Sequence, residues 1–191
     1  SKVMNLAGLI NAENGNIYIE NNGINAIVGG KIVDELGDVV INNQKGDMTI
    51  SSDISHNKLT QGTGQIFINN AQTAGNLSIA SNLRTYGSGK ADEDDSDIIK
   101  AIKIINNSPN SDLSLSKLIE ARVGNIEIIN NGNGLDSIAD IKIDTKGDIN
   151  IVNNKNNAVI NGTIATDEGD INILSGLNAN DLSVGDRKSV V

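Results

Sequence analysis

The chain has 191 residues and a formal net charge of −9, with 30 Asn and 30 Ile but no Cys, no Trp, one Pro, one Phe and two Tyr. The absence of Cys excludes a disulfide scaffold, a thiolate metal site and a thiol nucleophile, and acidity without a basic cluster argues against nucleic acid. Apolar runs of only a few residues predict no membrane insertion and no signal-peptide core.

With 2% aromatic residues, a core built on large rings is excluded, and an internal repeat is the first thing to seek. In chain order, Met4, Leu6 and Ile10 precede a phrase, Gly15-Asn-Ile-Tyr-Ile-Glu-Asn21, which then recurs. It returns as Gly37-Asp-Val-Val-Ile-Asn-Asn43 and Gly64-Gln-Ile-Phe-Ile-Asn-Asn70, and with Lys100 in the Gly position. Three more copies begin at Gly124, Gly147 and Gly169. The base period is about 22 residues, and two units are longer. Fixed offsets run through the whole period. Ala26, Val28 and Ile32 in one unit correspond to Met48, Ile50 and Ile54 in the next, and to Ala158, Ile160 and Ile164 in a later one. The residues before Gly15 fit the same pattern, so the chain is expected to begin in the middle of a repeat.

Each unit carries three short segments with apolar residues at i and i+2, the period of a strand with one buried face. Gly, Asn and Asp between the segments tolerate tight turns. The expected fold is therefore all-β: a single-stranded parallel β-helix of about eight coils, one segment spanning 1–191. Stacking at about 4.8 Å places Ile19, Ile41, Ile68, Ile104, Ile128, Ile151 and Ile173 in one inner column. Asn21, Asn43, Asn70, Asn106, Asn130 and Asn153 form a corner column, where amide side chains bond along the stack.

The longer units place their extra residues in two loops. One lies around His56 to Thr63, where His56 stands alone with no triad or metal partner in view. The other is an insertion at 84–97, which carries Asp92, Glu93, Asp94, Asp95 and Asp97. Its carboxylates suit Ca²⁺, although a solvated loop that blocks aberrant strand pairing explains the same charge.

Three rows of equivalent residues are weighed as candidate sites. Tyr18, Val40 and Phe67 share one outward offset in successive coils, an exposed strip suited to sugar or protein contact unless the insertion covers it. Ile105, Ile129, Val152 and Leu174 share another offset and are expected to pack as a corner. Asp148 and Asp170 stand one coil apart, a spacing at which carboxylates can cleave glycosides. Each also simply follows a strand-opening Gly, which makes a turn role the expectation.

The Gly-Asp/Asn-Ile-x-Ile phrase, its period and the third-segment phrases Gly30-Lys-Ile-Val-Asp and Gly162-Thr-Ile-Ala-Thr resemble the filamentous-haemagglutinin-like exoproteins, bacterial surface adhesins exported by two-partner secretion. The resemblance implies a right-handed parallel β-helix and a non-enzymatic, extracellular fibre segment exported through an outer-membrane transporter, cut from the interior of a longer chain. Its partners would be a host-cell glycan or protein, or neighbouring segments of the same fibre. A polysaccharide-degrading β-helix enzyme and the stalk of a contact-dependent toxin-delivery exoprotein are the alternatives on the same architecture.

Overall fold

A computed structural model describes residues 3–56, 64–86, 90–91, 99–178 and 182–184. The chain winds as a right-handed parallel β-helix, with about seven turns of about 23 residues and no helix among the described residues. In the third sheet, the register from Ile19 to Ile173 gives turns of 22–24 residues where there is no insertion and of 27 and 36 residues where there is one. Three parallel sheets run along its length. Strands follow one another from sheet to sheet and pair with the equivalent strand one turn away.

The first sheet has eight strands, from Val3–Leu6 to Leu182–Val184, and the second has seven, from Ile10–Ala12 to Ile164–Glu168. The third runs Ile17–Asn21, Val39–Asn43, Ile66–Asn70, Ile99–Asn106, Asn125–Asn130, Ile149–Lys155 and Ile171–Asn178. Lys90–Ala91, inside the longer insertion, adds an antiparallel strand against Ile99 and Lys100. The acidic residues Asp92, Glu93, Asp94, Asp95 and Asp97 lie outside the described residues.

Strand alternation builds the core. In Ile17–Asn21 and Val39–Asn43 every second side chain turns inward and is buried. Register then stacks like on like, with Ile19 opposite Ile41, Ile41 opposite Ile68, and so on through Ile104, Ile128, Ile151 and Ile173. Ile10, Ile32, Ile54, Leu83, Ile119, Ile141 and Ile164 form the matching column of the second sheet. The buried core cluster contains no aromatic residue. Each fully buried Ile contributes about 1.5–3 kcal/mol relative to exposure, and β-branched side chains fit a pleated, half-buried surface. Repetition of medium-sized side chains thus replaces the few large rings of an ordinary globular core.

The corner after the third sheet is held by amides. Asn21 Nδ2 donates to Asn43 Oδ1 at 2.7 Å, and the relay continues through Asn70, Asn106, Asn130 and Asn153, each step at 2.8 Å. All six residues are buried. The amides of Asn21, Asn43 and Asn70 also donate to a turn carbonyl, that of Lys45, Gly46 and Gly75 respectively. Buried polar groups are costly unless bonded, and here the stack itself supplies the partners. The column ends at Ser175, which stands opposite Asn153 in the following turn.

Gly46 shows how tightly turns overlie one another. Its φ is +70°, and a Cβ there would lie 1.2 Å from the carbonyl oxygen of Ile24 in the turn above. Only glycine combines the left-handed backbone with that approach.

Candidate functional site

The outer face of the third sheet carries the aromatic strip. Register places Tyr18 beside Val40 and Val40 beside Phe67, and the same row continues through Lys103, Glu127, Asn150 and Asn172. Tyr18 is 61% exposed, while Val40 and Phe67 are half-buried. The Tyr18 hydroxyl donates to Glu20 Oε2 at 2.7 Å and accepts from Asn42 Nδ2 at 3.0 Å, so its ring is held in place from two neighbouring turns. The bond from Tyr18, with that from Asn22, holds the Glu20 carboxyl below its ordinary pKa. Beyond Phe67 the row turns polar, and Lys103 Nζ lies 2.6 Å from Glu127 Oε2.

The second outward row of this sheet differs from the expectation for it. Ile105, Ile129, Val152 and Leu174 do not pack as a corner. They pair turn to turn on the outer face, with the first three half-buried and Leu174 57% exposed. Alternation places them there, since the buried Ile104 and Asn106 lie on either side of Ile105. Apolar character therefore moves along the solenoid from the Tyr18–Phe67 row to the Ile105–Leu174 row.

Asp148 and Asp170 are brought together in the manner of turn residues. Asp148 Oδ1 accepts the backbone N–H of Asp170 at 2.8 Å, and Asn125 Oδ1 accepts that of Asp148 at 2.8 Å. The same device holds elsewhere. Asp38 Oδ1 accepts from Gln65 N, Asp47 Oδ1 from Asn76 N, and Asp140 Oδ1 from Thr163 N. An Asp or Asn opening a segment thus satisfies the backbone donor of the next turn, a local side-chain-to-backbone pattern typical of these residues. Asp47 and Asp140 show that this role extends beyond the Gly-Asp phrase.

His56 departs from its sequence assignment. It closes the strand Ile54–His56 and points into the core, 3% exposed, between Asp34 and Thr85 of the adjacent turns. Asp34 Oδ1 accepts from the backbone of Leu36 and Gly37 at 2.9 and 2.6 Å. Asp34 Oδ2, His56 Nε2 and Thr85 Oγ1 are buried without a hydrogen-bond partner. Burial pushes the His56 pKa down, partly opposed by Asp34 and Asp38. Three polar residues in one inner column were not legible in the sequence, because an insertion directly follows His56. Among the described residues no group of three or more His, Asp or Glu comes together as a metal site.

The arrangement defines a class, a parallel β-solenoid with a partly apolar outer face. Comparison with protein-family models, characterised proteins and solved structures finds no match for this chain.

Proposed function

We propose that this solenoid is a non-enzymatic segment of an exported bacterial surface fibre, serving as shaft and as a contact surface for a host-cell glycan or protein. The observation that carries the contact reading is the in-register row Tyr18–Val40–Phe67, with the Tyr18 ring fixed by hydrogen bonds and 61% exposed. A rigid aromatic loses little conformational freedom on binding, and its hydroxyl adds direction. The repeat phrase and its resemblance to filamentous-haemagglutinin-like exoproteins support the fibre, extracellular and transporter-exported parts of the reading. The commitment of the Asp148 carboxylate to the Asp170 backbone N–H favours a structural over a hydrolytic role for that pair.

The test is a glycan and matrix-protein array probed with the wild-type chain and with a Tyr18→Ser/Phe67→Ser double variant. Binding by the wild type that falls at least about tenfold in the variant, the equivalent of about 1.4 kcal/mol, supports the contact strip. An array silent to the wild type leaves a spacer and defeats the contact reading.

A further inference from the structure

On a different face, the outer surface of the second sheet, a cavity of about 120 Å³ is lined by Lys31, Asp53, Ser55, Asn82, Arg84 and Tyr86 from three successive turns. Register places Ser55 beside Arg84 on neighbouring strands, and the backbone of Asp53 and Asn82 closes the adjacent edge through bonds from Ile32 and Ile54.

The hydrogen-bond inventory of this cavity is one-sided. Ser55 is only 8% exposed, and its hydroxyl has no partner. Lys31 and the Tyr86 hydroxyl also have none among the described residues. Arg84 Nε is ion-paired with Glu120 Oε2 at 3.0 Å, and the Arg84 side chain remains 37% exposed. Two of the acceptor oxygens are engaged. Asp53 Oδ1 takes two bonds from Asn82, at 3.1 and 3.0 Å, and Glu120 Oε1 pairs with Lys142. A buried hydroxyl without an acceptor is costly, as at Ser55, and the exposed Lys31 and the Arg84 guanidinium place two cations beside it in a chain of net charge −9.

The geometry points to a binding site for the carboxylate of a sugar acid, a uronate residue within a longer glycan. The planar carboxylate matches the Arg84 guanidinium. The Lys31 ammonium and the Ser55 and Tyr86 hydroxyls supply further donors. The remaining lone pairs of Asp53 and Asn82 accept sugar hydroxyls, and the Tyr86 ring offers an apolar face. The cavity is small beside the roughly 300–1,000 Å³ of drug-sized pockets, so it admits one sugar residue and leaves the rest of the glycan outside. This site does not depend on the Tyr18–Phe67 strip, which lies on the third sheet.

The test is an amide NMR titration of the whole ¹⁵N-labelled chain with galacturonate, using galactose, acetate and galactose 6-sulfate as comparisons. Saturable shifts confined to the surroundings of Ser55, Arg84 and Tyr86 are expected with galacturonate. No shifts are expected with galactose, and binding of acetate and of the sulfated sugar should be at least about tenfold weaker. Arg84→Gln should weaken galacturonate about tenfold and Ser55→Ala about threefold, in keeping with charged and neutral hydrogen bonds. Glu120 keeps Lys142 as a partner in the Arg84 variant, and unchanged amide positions in the other sheets verify its fold. Equal response to galactose or acetate, tighter binding of the sulfated sugar, absence of localised shifts, or full affinity in a folded Arg84→Gln chain would each overturn the assignment. None of these outcomes bears on the array experiment with Tyr18 and Phe67.

Discussion

Asn70 Nδ2 donates to Asn106 Oδ1 at 2.8 Å although 36 residues separate them, and the bond is as short as those across turns without the long insertion. The inward columns therefore keep the same register on both sides of the insertion, Leu83 opposite Ile119 and Ile68 opposite Ile104. The amide column is the structural memory of the repeat. Asn70 sits in its middle, accepting from Asn43 and donating to Asn106 and to the carbonyl of Gly75.

Asn70→Ala should destabilise the chain by about 2–4 kcal/mol, because it removes three hydrogen bonds of a buried side chain and leaves one Asn43 N–H without its acceptor, while Asn106 Oδ1 keeps the Ser111 hydroxyl. Urea unfolding reads the loss. A cost below about 0.5 kcal/mol would mean that the column adds nothing to stability.

Gly46 and Gly15 open a second comparison. Gly46→Ala should cost more than about 3 kcal/mol, since a Cβ at φ +70° meets the Ile24 carbonyl at 1.2 Å and both the backbone strain and the steric overlap destabilise. Gly15→Ala should cost less than about 1 kcal/mol, because nothing lies within 4 Å of a Cβ there. Thermal melts of the two variants check the contrast, and equal costs would show that the close approach relaxes freely.

His56 predicts a pH dependence of stability. Burial holds its folded pKa below the ordinary value of about 6.5. Below pH 6.5 the unfolded chain therefore binds a proton that the folded chain refuses. Stability should rise with pH in this window and fall as the solution is acidified from about pH 6.5 toward the depressed folded pKa. Asp34 and Asp38, which face the ring, reduce the effect without reversing it. Urea midpoints from pH 7.5 down to 5.5 should decline in the wild type and flatten in His56→Leu. An unchanged slope in the variant would place the proton uptake elsewhere.

Asp148 offers a test of the turn role against a catalytic one. Asp148→Asn keeps an oxygen for the Asp170 N–H and should leave the melting temperature nearly unchanged. Asp148→Ala removes it and should cost about 1 kcal/mol. Polysaccharide cleavage by the wild type that disappeared in Asp148→Asn/Asp170→Asn would refute the structural assignment.

The sequence by itself determined the solenoid, its inward Ile columns, the amide column and the outward row Tyr18–Val40–Phe67. All of these follow from counting: strands alternate with period two, a fixed offset repeats each turn, and stacking converts equal offsets into contact. Only the tertiary structure decided what happens where counting stops. His56 stands next to an insertion, so its offset did not reveal that it closes a strand and enters the core between Asp34 and Thr85. The row Ile105–Leu174 looked like corner packing until strand alternation turned it to the outer face. The cavity of Lys31, Ser55, Arg84 and Tyr86 draws on turns of unequal length, and its character depends on which donors find acceptors, a matter of distances and angles between turns. Offsets specify which residues are neighbours along a column, whereas the satisfaction of polar groups is settled atom by atom in three dimensions.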